Sequence, residues 1–237
     1  SGRAMASSDH NATDSTRIRT MFSHRAAVVF VVVVGLVVPL VVLLVQQISE
    51  RDGRTIPCCD YAVLEMGTRS FLRGGQWVGL YSREGWRHPG PAPFMWFAPF
   101  SVLPGGGFAR FQVGVVALHM LAIATVLTAF ARRVSASVWT VVVACVSLFV
   151  WRFDINQFRE PWNPFMALSL LVVAVVAASL LLTGGSSRWL PVFVISASMA
   201  AQTHMGAVPT IVVVVVALII AVVGKRISLE RRPVIGS

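Results

Sequence analysis

Charge is what this chain has least of. Charged residues make up 13% of its 237 residues, where an ordinary soluble domain carries about 25%. Ten acidic residues and a single lysine, Lys225, leave a net charge of +10 that is almost all arginine. Hydrophobic residues reach 56% and the mean hydropathy is +0.74. This balance excludes an ordinary soluble domain and places the chain among polytopic helical membrane proteins. Three cysteines are too few for a disulfide framework. Cys145 lies in an apolar stretch and reads as packing. The adjacent Cys58 and Cys59 leave open a vicinal bridge, an intermolecular bridge or two thiols. Several catalytic signatures are missing: a Walker loop, a GxGxxG after a strand, a zinc-spaced Cys/His set and a GxSxG elbow. The first apolar stretch is long and lacks a small-residue cleavage site, so it does not read as a cleaved signal. No internal repeat is evident.

What is present is apolar length. Crossing the hydrocarbon layer takes about 20 apolar residues in a helix. Such spans are expected at Ala26–Val45, Phe111–Ala131, Ser135–Trp151, Phe165–Thr183, Trp189–Ala201 and Ala207–Val223. Gln202-Thr203-His204, followed by Gly206 and Pro209, divides the last apolar block into two hinged helices. The expected fold class is therefore an all-α membrane protein, a polytopic bundle of about six transmembrane helices. Residues 1–25 read as a polar, disordered N-terminus led by a tag remnant before Met5. Residues 26–224 form the transmembrane domain, with a long first loop at 46–110, and residues 225–237 form a tail.

Arginines near span ends set the orientation. Arg17, Arg19, Arg25, Arg132, Arg133, Arg188, Lys225, Arg226, Arg231 and Arg232 share one side, opposed only by Asp9, Asp14 and Glu230. The other side mixes nine arginines with seven acidic residues. Both termini are thus expected in the cytoplasm, and the long loop outside. A basic balance can also serve nucleic acid. Here the arginines flank spans, so lipid headgroups, lipid phosphates and topology account for them, and no nucleic-acid partner is expected.

The chemistry then sorts to the outer face. Tyr61–Leu72, YAVLEMGTRSFL, reads as an amphipathic interfacial helix. Asp60 at its start either caps the helix or acts as a general base. Glu65 and Arg69 stand at i,i+4 spacing and read as a helix-face ion pair. The next segment, YSREGWRHPGPAPFMWFAPF from Tyr81 to Phe100, packs arginines, a histidine and aromatics into one loop. His88–Pro93 (HPGPAP) reads as a locked turn rather than a helix. The aromatic run after it is either an interfacial belt or a platform for a polyprenyl chain or sugar. WRFDINQFREPWNP, residues 151–164, reads as a short outer loop, with Pro164 as the first helical residue of the next span. Its asparagines read as caps. Arg73, Arg83, Arg87, Arg152 and Arg159 either snorkel to headgroups or hold a phosphate. Gln202 and His204, polar at a break between spans, mark a functional site or a structural hydrogen-bonding point. His119, inside a span, reads as packed against a polar neighbour.

The acidic outer loop, YSREGWRHPGPAPF, the WNPF start of the fourth span and the QTHMGAVP break together resemble actinobacterial membrane glycosyltransferases of the GT-C type. These are similar to the arabinosyl- and mannosyltransferases of the mycobacterial envelope. The resemblance covers roughly Ala26 to Val223. It implies a polyprenyl-phosphate sugar donor, an envelope glycan or glycolipid acceptor, and transfer on the extracytoplasmic face of the plasma membrane. It implies Asp60 as the first candidate base, Glu65 as the second, and His88 beside them. Arg73, Tyr81, Arg83, Trp86, Arg152, Asn163, Gln202 and His204 are then the candidate residues for donor phosphate and substrate. No protein metal site is expected, and the use of a divalent cation is left open. GT-C enzymes usually carry eight or more spans; about six correspond to the N-terminal half, which leaves open a truncated product, a part of a longer chain, or one polypeptide of a split protein that another membrane chain completes. The competing expectation is a non-catalytic GT-C-like subunit that binds lipid or a partner protein.

Overall fold

The computed structural model describes residues 38, 41, 42, 45, 59–82, 84–103, 107–131, 133–152 and 155–224. Of the expected first span, Val38, Val41, Val42 and Val45 are helical. The rest of that span, the 1–25 segment, Cys58, Arg83 and the 225–237 tail lie outside the described residues. Among the described residues the chain is helical, with no strand. The helices are α1 (Cys59–Leu72), α2 (Ala92–Ser101), α3 (Gly107–Ala131), α4 (Ala136–Arg152), α5 (Ile155–Arg159), α6 (Asn163–Leu182), α7 (Trp189–Thr203) and α8 (Val208–Val223). A 3-10 turn at Met205–Ala207 joins α7 to α8.

Three of these helices are long and apolar enough to cross a membrane: Phe108–Ala131, Asn163–Leu182 and Met205–Val223. The shorter apolar stretches are Ala136–Leu148 and Trp189–Thr203. At about 1.5 Å per residue, the 15 residues of α7 reach roughly 22 Å, short of the roughly 30 Å hydrocarbon layer. Its early stop follows from the polar Gln202-Thr203-His204 segment, where His204 turns extended at φ −154° and ψ 122°. No residue of α8 is buried. Val213, Ile220 and Val223 are among its most exposed side chains, a surface that suits lipid and would be an aggregation liability in water.

The chain divides into two compact units, Ser1–Val42 with Phe130–Ile155, and Leu43–Ala129 with Asn156–Ser237. In the first, α4 returns side-chain hydroxyls to its own backbone. Thr140 donates to the Ala136 carbonyl at 2.9 Å and Ser147 to the Val143 carbonyl at 2.8 Å. This is how an apolar helix satisfies hydroxyls without water. The second unit holds the core that positions α1, α2 and the loop between them. Phe94 and Phe97 of α2 are fully buried. They pack among Leu64 of α1, Phe111 and Val115 of α3, Met166 of α6 and Ala200 of α7. Deeper, Ala174, Ala177 and Ala178 of α6 share a cluster with Ala197 of α7. Small side chains let two membrane helices approach closely, where burial of apolar area gives little advantage over lipid.

Local structure departs from expectation in three places. The rigid turn ends at Pro91, and Ala92-Pro93 begin a helix that carries the aromatic run. Proline fits there because the first helical turn needs no N–H donor. Between residues 151 and 164 the chain folds a short helix, α5, into what reads as a loop. The N-cap of α6 is Trp162, with no side-chain cap bond, so Asn163 stands inside the helix rather than capping it. By contrast, His119 meets a polar neighbour as expected, its Nδ1 lying 2.7 Å from Ser169 Oγ.

Candidate functional site

Three elements meet at one end of the second unit: the start of α1, the loop before α2, and the α7–α8 break. Asp60 lies in the first turn of α1, where free backbone N–H groups favour a carboxylate. Its Oδ2 accepts a hydrogen bond from the Trp162 indole Nε1–H at 3.2 Å. Trp162 is held in turn by an edge-on contact with Phe165, ring centroids 4.8 Å apart.

His88 is presented by a small hairpin. The Gly79 N–H bonds the His88 carbonyl at 2.8 Å, the His88 N–H bonds the Leu80 carbonyl at 2.9 Å, and the Ser82 N–H bonds the Trp86 carbonyl at 2.7 Å. An isolated antiparallel bridge pairs Tyr81 with Arg87. His88 is 5% exposed, and its Nδ1 has no hydrogen-bond partner among the described residues. The Trp86 ring meets it edge-on at 5.0 Å, and the His204 ring lies 5.9 Å away. Burial, and then the facing His204, hold the His88 imidazole below its ordinary value of 6.5, while Asp60 pulls the other way. The shift favours the neutral imidazole, in which one nitrogen is a donor and the other an acceptor.

Gln202 fastens the loop to the break. Its Oε1 accepts from the Ala92 N–H at 3.0 Å, and its Nε2 donates to Ser198 Oγ at 2.9 Å. Gly90 makes this approach fit. Its φ is +71°, and a Cβ there would sit 2.1 Å from Gln202 Oε1. Gly206 plays the matching part for His204, since a Cβ there would lie 2.9 Å from the imidazole ring.

Asp60, His88, Trp86, Gln202 and His204 are thus linked at one end of the helices. Asn163 is adjacent in sequence to Trp162, buried, with its Oδ1 unpartnered among the described residues. Glu65 and Arg73 stand elsewhere. Glu65 pairs with Arg69, and both line a cavity of about 270 Å³ with Arg73, Ser101 and Arg110. Tyr81 is exposed, with the Arg87 guanidinium carbon 5.9 Å from its ring centre. It lines a separate cavity of about 220 Å³ with Gln76, Leu80 and Phe94. Arg152 ends α4 in the other unit. Among the described residues no three His, Cys, Asp or Glu side chains converge as a metal site.

Trp162, which bonds Asp60 in this candidate site, does not stand out in the sequence. The signal was faint: one tryptophan in EPWNP, in a chain holding seven. Arg69 and Arg110 were likewise read only as an ion-pair partner and a loop boundary. An apolar groove of about 430 Å³ runs between α2 and α7, lined by Ala92, Met95, Trp96, Val194, Ile195, Ser198 and Met199. Ala92 and Ser198 are the residues that Gln202 bonds, so the groove borders the site. Comparison with protein-family models, curated proteins and solved structures finds no match.

Proposed function

We propose that this protein transfers a sugar from a polyprenyl-phosphate donor to an envelope glycan or glycolipid, on the extracytoplasmic face of the plasma membrane, within a GT-C-type fold. One observation carries the reading: Asp60, His88 and His204, far apart in sequence, gather at one end of the helices. The acceptor hydroxyl oxygen bonds to the anomeric carbon, and its proton passes to the Asp60 carboxylate. The bond from that carbon to the phosphate oxygen breaks, and its electron pair leaves with the lipid phosphate. Neutral His88 donates a hydrogen bond to the departing phosphate, and His204 faces it from the helix break. The Trp162 indole occupies one Asp60 oxygen and turns the other toward the acceptor. The apolar groove beside Gln202 suits the carrier chain.

A second reading, a non-catalytic lipid-binding subunit, draws on the place of Asp60 in the first turn of α1, where a carboxylate serves helix stability alone. Purified protein is incubated with polyprenyl-phosphate arabinose and, in parallel, polyprenyl-phosphate mannose, together with an envelope glycan acceptor. Asp60→Asn is expected to lose product formation by about 100-fold or more while retaining lipid. Equal product from wild type and variant would refute the base. No product from wild type with either donor, together with full complementation of a deletion strain by the variant, would establish the subunit reading.

A further inference from the structure

The two ends of α1 carry different chemistry. Asp60 and Arg69 lie nine residues apart on this helix, roughly 13 Å at about 1.5 Å per residue. At the Arg69 end, Arg69, Arg73 and Arg110 line the cavity of about 270 Å³ with Glu65, so that among the described residues its lining carries three positive charges and one negative. Glu65 is committed to Arg69 through their ion pair. Arg110 Nη1 donates to the Ser101 carbonyl at 2.7 Å, a bond that helps fix the guanidinium at the cavity wall. The Arg73 side chain, just past the end of α1, is exposed and makes no hydrogen bond or ion pair among the described residues. Guanidinium groups gathered around one cavity repel each other, and an anion between them relieves that repulsion.

The position narrows the anion. Arg110 stands at the start of the Phe108–Ala131 span, the depth at which lipid phosphates lie. The remaining lining is largely apolar, and Val102 and Leu72 are 75% and 51% exposed. A cationic cavity with apolar lips fits a phosphate that carries acyl chains better than a free phosphate ion. We propose that this cavity binds the phosphate of an anionic phospholipid, held by Arg69, Arg73 and Arg110. Arginine suits the task because its planar fork gives paired hydrogen bonds to phosphate oxygens. The proposal is independent of the transfer reaction, since the cavity includes neither Asp60 nor the histidines.

The test titrates dioleoylphosphatidylglycerol into phosphatidylcholine nanodiscs holding the full chain, and counts retained lipid by native mass spectrometry. Wild type is expected to retain phosphatidylglycerol saturably and above phosphatidylcholine, with less retention at high salt. Arg73→Gln weakens retention about tenfold, equivalent to about 1.4 kcal/mol, and Arg73→Lys recovers part of it. Glu65→Gln strengthens retention severalfold by releasing Arg69. Arg73 is exposed beyond a helix end, so these variants leave the fold intact, as circular dichroism checks. Equal retention by wild type and Arg73→Gln, or no preference over phosphatidylcholine, would overturn the proposal. Displacement of phosphatidylglycerol by millimolar inorganic phosphate would overturn the lipid assignment and make this a site for free phosphate.

Discussion

Replacing Gly90 with alanine tests how the His88 loop is fastened to the α7–α8 break. Gly90 has φ +71°, a left-handed conformation that costs an alanine about 1–2 kcal/mol. The new Cβ would also meet Gln202 Oε1 at 2.1 Å, so the amide must swing away. Ala92 is 7% exposed, and its N–H then loses its acceptor. An unsatisfied buried donor costs about 1–3 kcal/mol. Together these give a loss of about 2–5 kcal/mol for Gly90→Ala. Gln202→Ala removes the same acceptor without strain and should cost about 1–3 kcal/mol. Since both changes break one bond, the double variant should fall short of the summed losses by about 1–3 kcal/mol. Denaturant unfolding in detergent micelles, followed by tryptophan fluorescence, measures all three variants. Additivity within about 0.5 kcal/mol would refute the shared bond, and an unchanged Gly90→Ala would refute the close approach itself.

Acid should destabilise the fold through His88, because its folded pKa is lowered from 6.5 while the unfolded chain keeps the ordinary value. Stability is full above about pH 6.5 and falls as pH drops through the lowered value. His204→Gln removes a lowering influence and should flatten the fall, whereas Asp60→Asn removes a raising influence and should steepen it. Melting temperatures between about pH 7.5 and about pH 5.5 compare the three proteins, and equal slopes would refute the coupling. Trp162→Phe keeps the contact with Phe165 but strips Asp60 of its donor. Under the proposed reaction kcat should drop about tenfold or more with KM unchanged and stability within about 1 kcal/mol; an unaltered kcat would remove Trp162 from the site. Ser169→Ala should cost about 0.6 kcal/mol and at most about 1.7, the range for hydrogen bonds between membrane helices. Unfolding in mixed micelles reads this loss, and a larger one would point to repacking around His119.

Several features were legible before any coordinates. From Phe111 onward the apolar blocks mark the helices to within a few residues, because apolar length and breakers are properties of a local window. The stop at Gln202-Thr203-His204 is legible for the same reason: polar residues, Gly206 and Pro209 end a helix wherever it packs. The Glu65–Arg69 pair follows from i,i+4 spacing alone. The limits of local reading show in HPGPAP, which promises a turn yet gives its last two residues to α2. There the buried Phe94 and Phe97 reward a helix with core packing that a loop could not supply.

The sequence by itself determined the class of this protein, the order of its apolar helices and the stock of polar residues in the segments between them. Each of these depends on neighbours a few positions apart. Only the tertiary structure decided that the Trp162 indole reaches Asp60, that His88 faces His204, and that Arg69, Arg73 and Arg110 share a cavity with Glu65. Those meetings join residues on different elements. They arise from how α1, α2, α3, α6 and α7 pack around Phe94 and Phe97, which no spacing along the chain encodes.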